Sequence, residues 1–524
     1  VVLPEGRGSR PTPITDEERI ARLRADLVAA RFTVDGVAER LGPMALAALR
    51  REQPLPALLA TDPDMPSSAQ KVRAESAHST EGGDACGTLI RLFALGRPVS
   101  RAALAAALPT LGVDGAAALR IVEATADGLQ ATCDLSPYAD DSHDWWVASD
   151  LAELATSATL EPDHVLGVGG ASTTLASWTI RRAVDRALDL GTGCGVQALH
   201  LGGHAASIVA TDVSVRALEF ARFNATLAGL ELDLRRGDLL EPVAGEQFAL
   251  VVSNPPFVIT PRTGDVPLYE YRDGGRAGDS IVRSLVRQVA GVLEPGGVAQ
   301  FLGNWEVPRG RTWRDVWTDW LEDVPLDAWV VQREQQSPAE YAELWSRDGG
   351  TLPGSPEHHR MYAAWLRDFA SRDVQSVGFG VVTLQRPTAD RSPWRSLDEA
   401  MGPVGAPMGP VVEAGLAART WLAGHTDDEV LDIAWSCASD VTEERHGRPG
   451  AEDPAVILIR QGGGLRRVVR ASTLLAAYLG VADGELTAAA ALAAIATVLD
   501  LDPTEVRAEL VPQIRDLVAD GLLV

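Results

Sequence analysis

Apolar residues recur along this chain with two different periods, and the alternation divides it into segments. From Asp16 to Ala60 the charged positions Glu17, Arg19, Arg22 and Arg24 interleave with Ile20, Leu23, Leu27 and Val28. This is the three-to-four spacing of an amphipathic helix. Residues 1–15 are rich in Pro, Gly and Arg and read as a flexible start, and residues 61–83 read as a polar linker. Residues 84–157 predict helices at Cys86–Leu95, Ser100–Leu108 and Gly115–Ala124. Strands at Leu129–Leu135 and Asp144–Ala148 follow, joined by an acidic loop, which is the order of a winged helix. Short, continuous apolar runs then alternate with helical stretches, as expected of parallel strands buried on both faces. The strands are expected at Ala187–Leu190, Ser207–Asp212, the run ending at Arg236, Phe248–Ser253, Gly297–Leu302, Ala328–Gln332 and Val374–Arg386. A helical insertion at about 339–372 separates the last two. Residues 391–425 read as a connector with one helix. Strands at Ala455–Arg460 and Leu465–Ala471 and helices at Leu486–Leu499 and Thr504–Asp520 follow, with a winged-helix flavour at the end.

The 524 residues are too many for one ordinary domain. The expected division is 1–83, a helical segment and linker; 84–157, winged-helix-like; 158–390, an α/β domain; and 391–524, an accessory domain for recognition or dimerisation. The formal charge is −25, and every basic residue except Lys71 is arginine, which reads as high-GC bacterial codon bias. No segment is basic enough to grip phosphates unaided. Leu465-Arg466-Arg467-Val468-Val469-Arg470 is the densest basic cluster and is expected to be a solvated strand face. Cys86, Cys133, Cys194 and Cys437 are scattered without metal-ligand spacing, which points to reduced thiols in a cytoplasm and to no metal. There is no apolar run of membrane-spanning length and no secretory core at the start. Because the chain begins at Val1, a start residue is expected to have been removed or trimmed.

The candidate chemistry lies at strand ends. Asp189-Leu190-Gly191-Thr192-Gly193-Cys194-Gly195 is a strand running into a glycine turn that opens a helix. Glycines let the backbone turn sharply and approach a ligand. The spacing is G-x-G-x-G rather than the G-x-G-x-x-G of dinucleotide folds, so alone it reads equally as a tight turn. Asp212 ends the second strand, where a carboxylate can accept both hydroxyls of a ribose. Asp238 follows the third strand, where it could meet an adenine amino group. Asn254-Pro255-Pro256-Phe257 closes the fourth. Two prolines make a stiff corner. The Asn254 side chain and the carbonyl after it can accept hydrogen bonds from a planar NH₂ group, while Phe257 stacks on it. Cys194 reads as a pocket wall, and His200 and His204 as surface or packing residues.

Together these motifs resemble the class I S-adenosylmethionine-dependent methyltransferases, in the branch with an N-P-P-[FYW] corner. That branch includes HemK/PrmC-type protein glutamine N5-methyltransferases, small-domain rRNA guanine N2-methyltransferases and DNA adenine N6-methyltransferases. The resemblance covers about residues 160–390. It rests on Asp189–Gly195, on Ala217-Leu218, Ala221 and Asn224, on Asn254–Phe257, on Tyr271-Arg272-Asp273-Gly274-Gly275 with Gly278, and on Leu293–Gly297. It departs from the family at Cys194, where a small hydroxyl residue is usual. It implies an α/β, Rossmann-like seven-stranded methyltransferase domain, which the residue pattern flanks with mostly helical, winged-helix-like N- and C-terminal domains. It also implies S-adenosyl-L-methionine as cofactor, held by Asp189, Gly191, Thr192, Gly193, Gly195, Asp212, Val213, Asp238, Leu239 and Asn254. The implied catalytic corner is Asn254, Pro255, Pro256 and Phe257.

The expected activity is N-methylation of a macromolecule, because the flanking domains suit a large substrate. A protein glutamine and an RNA or DNA amino group are chemically similar acceptors. Asp273-Gly274-Gly275 leans toward glutamine, the helix-turn-helix flavour toward nucleic acid, and the acidic charge back toward protein. The helix carrying Arg120 has little other positive charge, which argues against duplex DNA. Two readings stay open beside this one: a small-molecule methyltransferase of secondary metabolism, whose pocket the aromatic insertion would shape, and a non-catalytic binding module on a retained fold. The oligomeric state is not legible.

Overall fold

The structure, a computed structural model, describes residues 11–62, 84–152, 161–262, 266, 270–348, 354–450 and 453–524. The expected flexible start (to residue 10) and most of the expected linker (63–83) lie outside the described residues. The chain forms two compact units. The first contains residues to 173, 183–324 and 335–379; the second contains 174–182, 325–334 and 380–524. The expected boundaries after 157 and 390 fall inside the first and second units respectively.

In the first unit, α1 (Glu17–Ala29) starts at Asp16, which accepts from the Arg19 amide at 2.9 Å. Helix α2 (Val34–Leu49) is capped by Thr33 and kinks where Gly42, at φ 75°, meets Pro43. Helices α3 (Leu55–Ala60), α4 (Ala85–Leu89, continuing as a π turn to Ala94), α5 (Arg101–Ala107) and α6 (Gly112–Ala118) follow. Two antiparallel hairpins come next: β1 (Val122–Thr125) with β2 (Gly128–Ala131), and β3 (Asp134–Ala139) with β4 (Asp144–Ser149). Two expectations are corrected here. The helix predicted to reach Ala124 ends at Ala118, because Arg120 takes a left-handed φ of 55° and the β-branched Ile121-Val122 pair turns the chain into β1. The strand predicted over Leu129–Leu135 is two strands, broken at Thr132-Cys133.

After α7 (Gly170–Trp178) come β5 (Val184–Leu190), α8 (Val196–Leu201), β6 (Ala205–Asp212), α9 (Val215–Ala228), β7 (Asp233–Arg236), β8 (Phe248–Ser253), α10 (Glu270–Asp273), α11 (Ser280–Gln288) and β9 (Leu293–Pro308). Five strands lie in the order β7-β6-β5-β8-β9, all neighbours parallel. Chain order reverses at β5, so the carboxyl ends of β5 and β8 flank the crevice where open α/β sheets bind ligands. Helices α8 and α9 pack on the N-terminal region. Leu23, Leu27, Phe32, Trp146 and Val147 share one apolar core with Val196, Leu199, Phe220, Phe223 and Leu227.

Further along are α12 (Trp313–Leu321), β10 (Asp327–Gln336), α13 (Pro338–Asp348), α14 (Pro356–Ser371), β11 (Val374–Gln385) and β12 (Arg395–Glu399). All seven expected strands of the α/β sheet are present, and β12 pairs parallel with β10 as an unexpected addition. In the second unit, α15 (Gly409–Gly424), α16 (Asp427–Leu431), α17 (Thr473–Leu479), α18 (Ala488–Leu499) and α19 (Pro503–Ala519) accompany an antiparallel sheet. Its strands are β13 (Val441–His446), β14 (Val456–Gln461) and β15 (Val468–Ala471). Its core includes Leu475, Leu492, Leu510, Ile514 and Leu517. Arg467, within the basic cluster, lies 3.0 Å from Asp398 and 3.1 Å from Asp520, so that cation is committed to internal ion pairs. Among the described residues no helix is long and apolar enough to cross a membrane.

Asp26 supports the packing of α1. It is 1% exposed and accepts from the Thr110 and Leu111 amides at 3.0 and 2.8 Å. Asp26→Ala strands these amides, and a buried unpaired donor costs about 1–3 kcal/mol. Urea unfolding of the variant is expected to show a lower midpoint with unchanged slope. An unchanged midpoint would show that water replaces the carboxylate at no cost.

Candidate active site

The glycine turn is built by its own backbone. Gly191, Gly193 and Gly195 have φ of 71°, 56° and 93°, a region open to glycine and strained for other residues. A Cβ placed on Gly191 or Gly193 would meet no described atom within 4 Å, so the backbone there borders open space. On Gly195 it would touch Cα of Ala221, 3.4 Å away, so the third glycine serves helix packing. The amides of Gly191 and Thr192 both donate to the Thr211 carbonyl at 2.9 Å.

Asp189 lies fully buried beneath the turn. Its Oδ2 accepts from the Thr192 hydroxyl at 2.6 Å and the Ala198 amide at 2.9 Å, while Oδ1 has no hydrogen-bond partner among the described residues. Burial pushes its carboxyl up to about 7. Thr192 therefore braces Asp189 with its side chain. Burial likewise raises the Cys194 thiol to about 12, which keeps it neutral and inert as a nucleophile.

Asp212 joins three strand ends. Its Oδ2 accepts from the Gly193 amide and its Oδ1 from the Ser214 amide, both at 2.9 Å, and its carbonyl accepts from Gly237 at 3.0 Å. Both carboxylate oxygens therefore lie at the sheet edge, each tied to a backbone amide. Val213, beside it, is 49% exposed. Asp238 pairs with Arg276 at 2.8 Å, and Leu239 holds a left-handed φ of 47°.

The corner leaves β8 next to the glycine turn. Leu190 and Ser253 are register partners, and the Ser253 hydroxyl donates to the Leu190 carbonyl at 2.7 Å. Asn254 Nδ2 lies 3.5 Å from the Ser172 hydroxyl of α7, while its buried Oδ1 has no hydrogen-bond partner among the described residues. Pro255 is buried, and Pro256 packs on the Asp-Gly-Gly run, since a Cβ on Gly274 would come within 2.8 Å of its ring. The half-buried Phe257 ring lies 5.5 Å from Phe379.

The chain after the corner is held by the insertion. The Ile259 amide donates to the Tyr341 hydroxyl at 2.9 Å, Asn304 donates to the same oxygen at 2.6 Å, and Trp365 Nε1 donates to the Ile259 carbonyl at 2.8 Å. Val258 and Ile259 share a core with Tyr341, Met361, Trp365 and Phe369, with Phe257 packed against it. His200 is a packing residue. It is buried, with Nε2 2.6 Å from the Tyr138 hydroxyl and Nδ1 3.3 Å from Asp140.

The structure thus gathers Asp189, Thr192, the three glycines, Asp212, Val213, Asp238, Leu239 and Asn254–Phe257 along one edge of the sheet. Ser172 and Arg276 join them and were not foreseen. Ser172 had no motif to mark it. Arg276 lies inside the Asp-Gly-Gly-x-x-Gly run and was legible only as its spacer. The open space at two glycines and the unpartnered acceptor of Asn254 fit a nucleoside-bearing cofactor beside a planar nitrogen donor. No group of acidic, His and Cys residues among those described could hold a metal ion.

Residues 168–318 match the family described as the methyltransferase small domain, so the segment carrying this edge is a domain of that class. Residues 29–132 match a family described as a domain of unknown function, DUF7059. Among curated relatives, the release factor glutamine methyltransferase of Deinococcus radiodurans is 41% identical over 120 residues, 21% of this chain and 43% of that protein. The ribosomal protein uL3 glutamine methyltransferase of Bradyrhizobium diazoefficiens is 36% identical over 126 residues, 22% of this chain and 39% of that protein. The chain spans less than half the length of these two relatives. A solved 16S rRNA methyltransferase from T. thermophilus, in complex with AdoMet and guanosine, matches 36% of this chain and 45% of its own at 18% identity and a TM-score of 0.25.

The buried carboxyl has a pH signature. Folded Asp189 keeps its proton up to about 7, whereas an unfolded aspartate releases it near 3.8. Across that window the folded state binds more protons, so its contribution makes stability fall as pH rises, then level off above about 7. Asp189→Asn removes this component. The wild-type minus variant difference in unfolding free energy is expected to decline from pH 4 to 7, and a difference independent of pH would refute a raised carboxyl.

Proposed function

We propose that this chain is an S-adenosylmethionine-dependent N-methyltransferase whose acceptor is the side-chain amide of a protein glutamine. The observation that carries this reading is the buried, unpartnered Oδ1 of Asn254 at a rigid Pro-Pro corner, beside a glycine turn that borders open space. Asn254 Oδ1 and the Pro255 carbonyl would accept the two N–H bonds of a planar amide, and Phe257 would stack on it. Accepting those bonds turns the nitrogen lone pair out of conjugation and toward the methyl donor. The bound cofactor would supply a methyl group already activated by its sulfonium. The nitrogen would bond the methyl carbon as the carbon–sulfur bond breaks to a neutral thioether. The N-methylated amide, acidified by its positive charge, would release its extra proton to solvent. Alignment can then carry much of the rate, with no strong base at the nitrogen. Asp212 would hold the ribose and Asp238 and Leu239 the adenine, while Asp189 and the glycines would shape the methionine end of the pocket.

Protein is favoured over nucleic acid by the net charge of −25 and by the commitment of Arg467 to internal carboxylates. The two relatives named for glutamine methylation lean the same way. Four free cysteines support a reducing compartment such as the cytoplasm.

Labelled S-adenosylmethionine is added with the enzyme to extract from a strain lacking this gene, and the product is split by protease and by nuclease. Label released by protease alone is expected. Release by nuclease would move the acceptor to RNA or DNA, and label only in small metabolites would move it to secondary metabolism. Asn254→Ala is expected to keep cofactor affinity and lose turnover by about a hundredfold; near-normal turnover rules out amide orientation. Asp212→Ala is expected to weaken cofactor binding with the fold intact, as read by calorimetry and circular dichroism. Unchanged affinity removes the ribose assignment.

A further inference from the structure

We propose that the N-terminal region holds the cofactor site in shape from behind, with Asn224 as the positioning residue that ties the glycine turn to strand β4. This rests on the reading of the glycine turn as a cofactor loop. It gives a role to the region that contains the domain of unknown function.

The turn needs external support. Three of its five residues from Gly191 to Gly195 are glycines at positive φ, so its backbone carries little conformational preference of its own. Two of the bonds that fix it come from within the site, through Asp189 and Asp212. A third comes from Asn224 on α9, which is fully buried. Its Oδ1 accepts from the Ala148 amide at 2.7 Å, and its Nδ2 donates to the Ala148 carbonyl and to the Cys194 carbonyl, both at 2.8 Å. Both donors of the side-chain amide are used. The amide therefore pairs with β4 as a neighbouring strand would, and with its second N–H fixes the peptide between Cys194 and Gly195.

A second tie lies two residues further along the same strand exit. Asp150 is 5% exposed and accepts from Arg216 through both oxygens, at 2.6 and 2.7 Å, and from the Val165 amide at 2.8 Å. Arg216 also lies 3.3 Å from Asp163. It stands two residues after Ser214, whose amide holds Asp212. Residues 148–150 thus reach both the glycine turn and the start of the helix behind Asp212. The helices support β4 in turn, because the Trp146 indole donates to the Phe32 carbonyl. The role differs from substrate recognition, since Asn224 ties strand β4 directly to the glycine turn at the Cys194 carbonyl. Linkage makes it reciprocal: if β4 holds the turn in its binding shape, cofactor binding must also hold β4.

The test uses the full chain. Affinity for S-adenosylmethionine is measured by titration calorimetry, with stoichiometry reporting the binding-competent fraction. Hydrogen exchange over residues 134–150 is followed with and without S-adenosylhomocysteine. Asn224→Leu keeps the volume and loses all three bonds. The expected result is affinity at least tenfold weaker in the molecules that bind, with loss of the cofactor-induced protection of β3 and β4 seen in the wild type. A merely structural residue would lower the melting temperature or the stoichiometry and leave affinity within twofold, which overturns the proposal. Arg216→Gln, altered at a partly exposed guanidinium, serves if Asn224→Leu does not fold. It is expected to weaken affinity at least threefold, and unchanged affinity again overturns the proposal. A wild-type chain that binds no S-adenosylmethionine overturns the functional reading and this inference together. Wild-type binding with indifferent variants overturns this inference alone.

Discussion

The site depends on hydrogen bonds that join neighbouring strand ends where the regular sheet stops. Parallel strands hold one another in register only as far as their backbones run together. Beyond that point each loop is free to diverge. Here Ser253 bonds to the Leu190 carbonyl, Gly193 to the Asp212 side chain and Gly237 to the Asp212 carbonyl. Four loops that carry different chemistry are thereby held as one edge. Asp212 contributes twice, through side chain and backbone, so a residue read from sequence as a ligand contact is also the junction of three strands.

Burial gives that edge a second property. A carboxyl with no exposure, two donors on one oxygen and none on the other is poorly compensated as an anion. Asp189 consequently keeps its proton more readily than a surface aspartate. Ordering three glycines costs chain entropy and desolvating Asp189 is unfavourable, and both costs fall between residues 189 and 195. Stability invested elsewhere offsets them, in the apolar core that α8 and α9 share with the N-terminal helices. Such local cost at a site, offset by packing at a distance, is the pattern expected of functional residues.

The parts legible in the sequence are those whose chemistry is local. Buried strands such as Phe248–Ser253 announce themselves as apolar runs, and the turn and corner through Gly and Pro, which constrain the backbone wherever they occur. The missed elements take their identity from partners. Strand β12 reads Arg-Ser-Leu-Asp-Glu, has no apolar alternation and becomes a strand by pairing with β10. Strand β13, Val-Thr-Glu-Glu-Arg-His, is mostly exposed and charged, as edge strands that resist further pairing tend to be. The join of β2 and β3 was invisible because a break between hairpins needs no glycine or proline. Among site residues, Asp189, Asp212 and Asn254 could be read from position. Ser172 and Arg276 could not, because each reaches the site across a long separation in sequence. Asn224 was readable as part of a helix motif, but its bonds to Ala148 and Cys194 required the fold.

The two sides of the edge are braced by different parts of the chain, and this bears on why so long a protein surrounds so small a site. The glycine turn is held through Asn224 by the hairpin before the sheet. The corner is held through Tyr341 and Trp365 by an insertion placed between β10 and β11. A minimal α/β sheet offers its strand ends to solvent, where an Asn-Pro-Pro-Phe corner followed by Val258-Ile259 would expose apolar surface and unpaired amides. The insertion covers the apolar residues and satisfies the Ile259 amide and carbonyl at once. An arrangement that works by alignment gains from rigidity on both sides, because misplacing the acceptor by an ångström can cost about a hundredfold in rate. Much of the additional length in the first unit is therefore explicable as scaffold for that alignment, before any of it is assigned to recognising a partner.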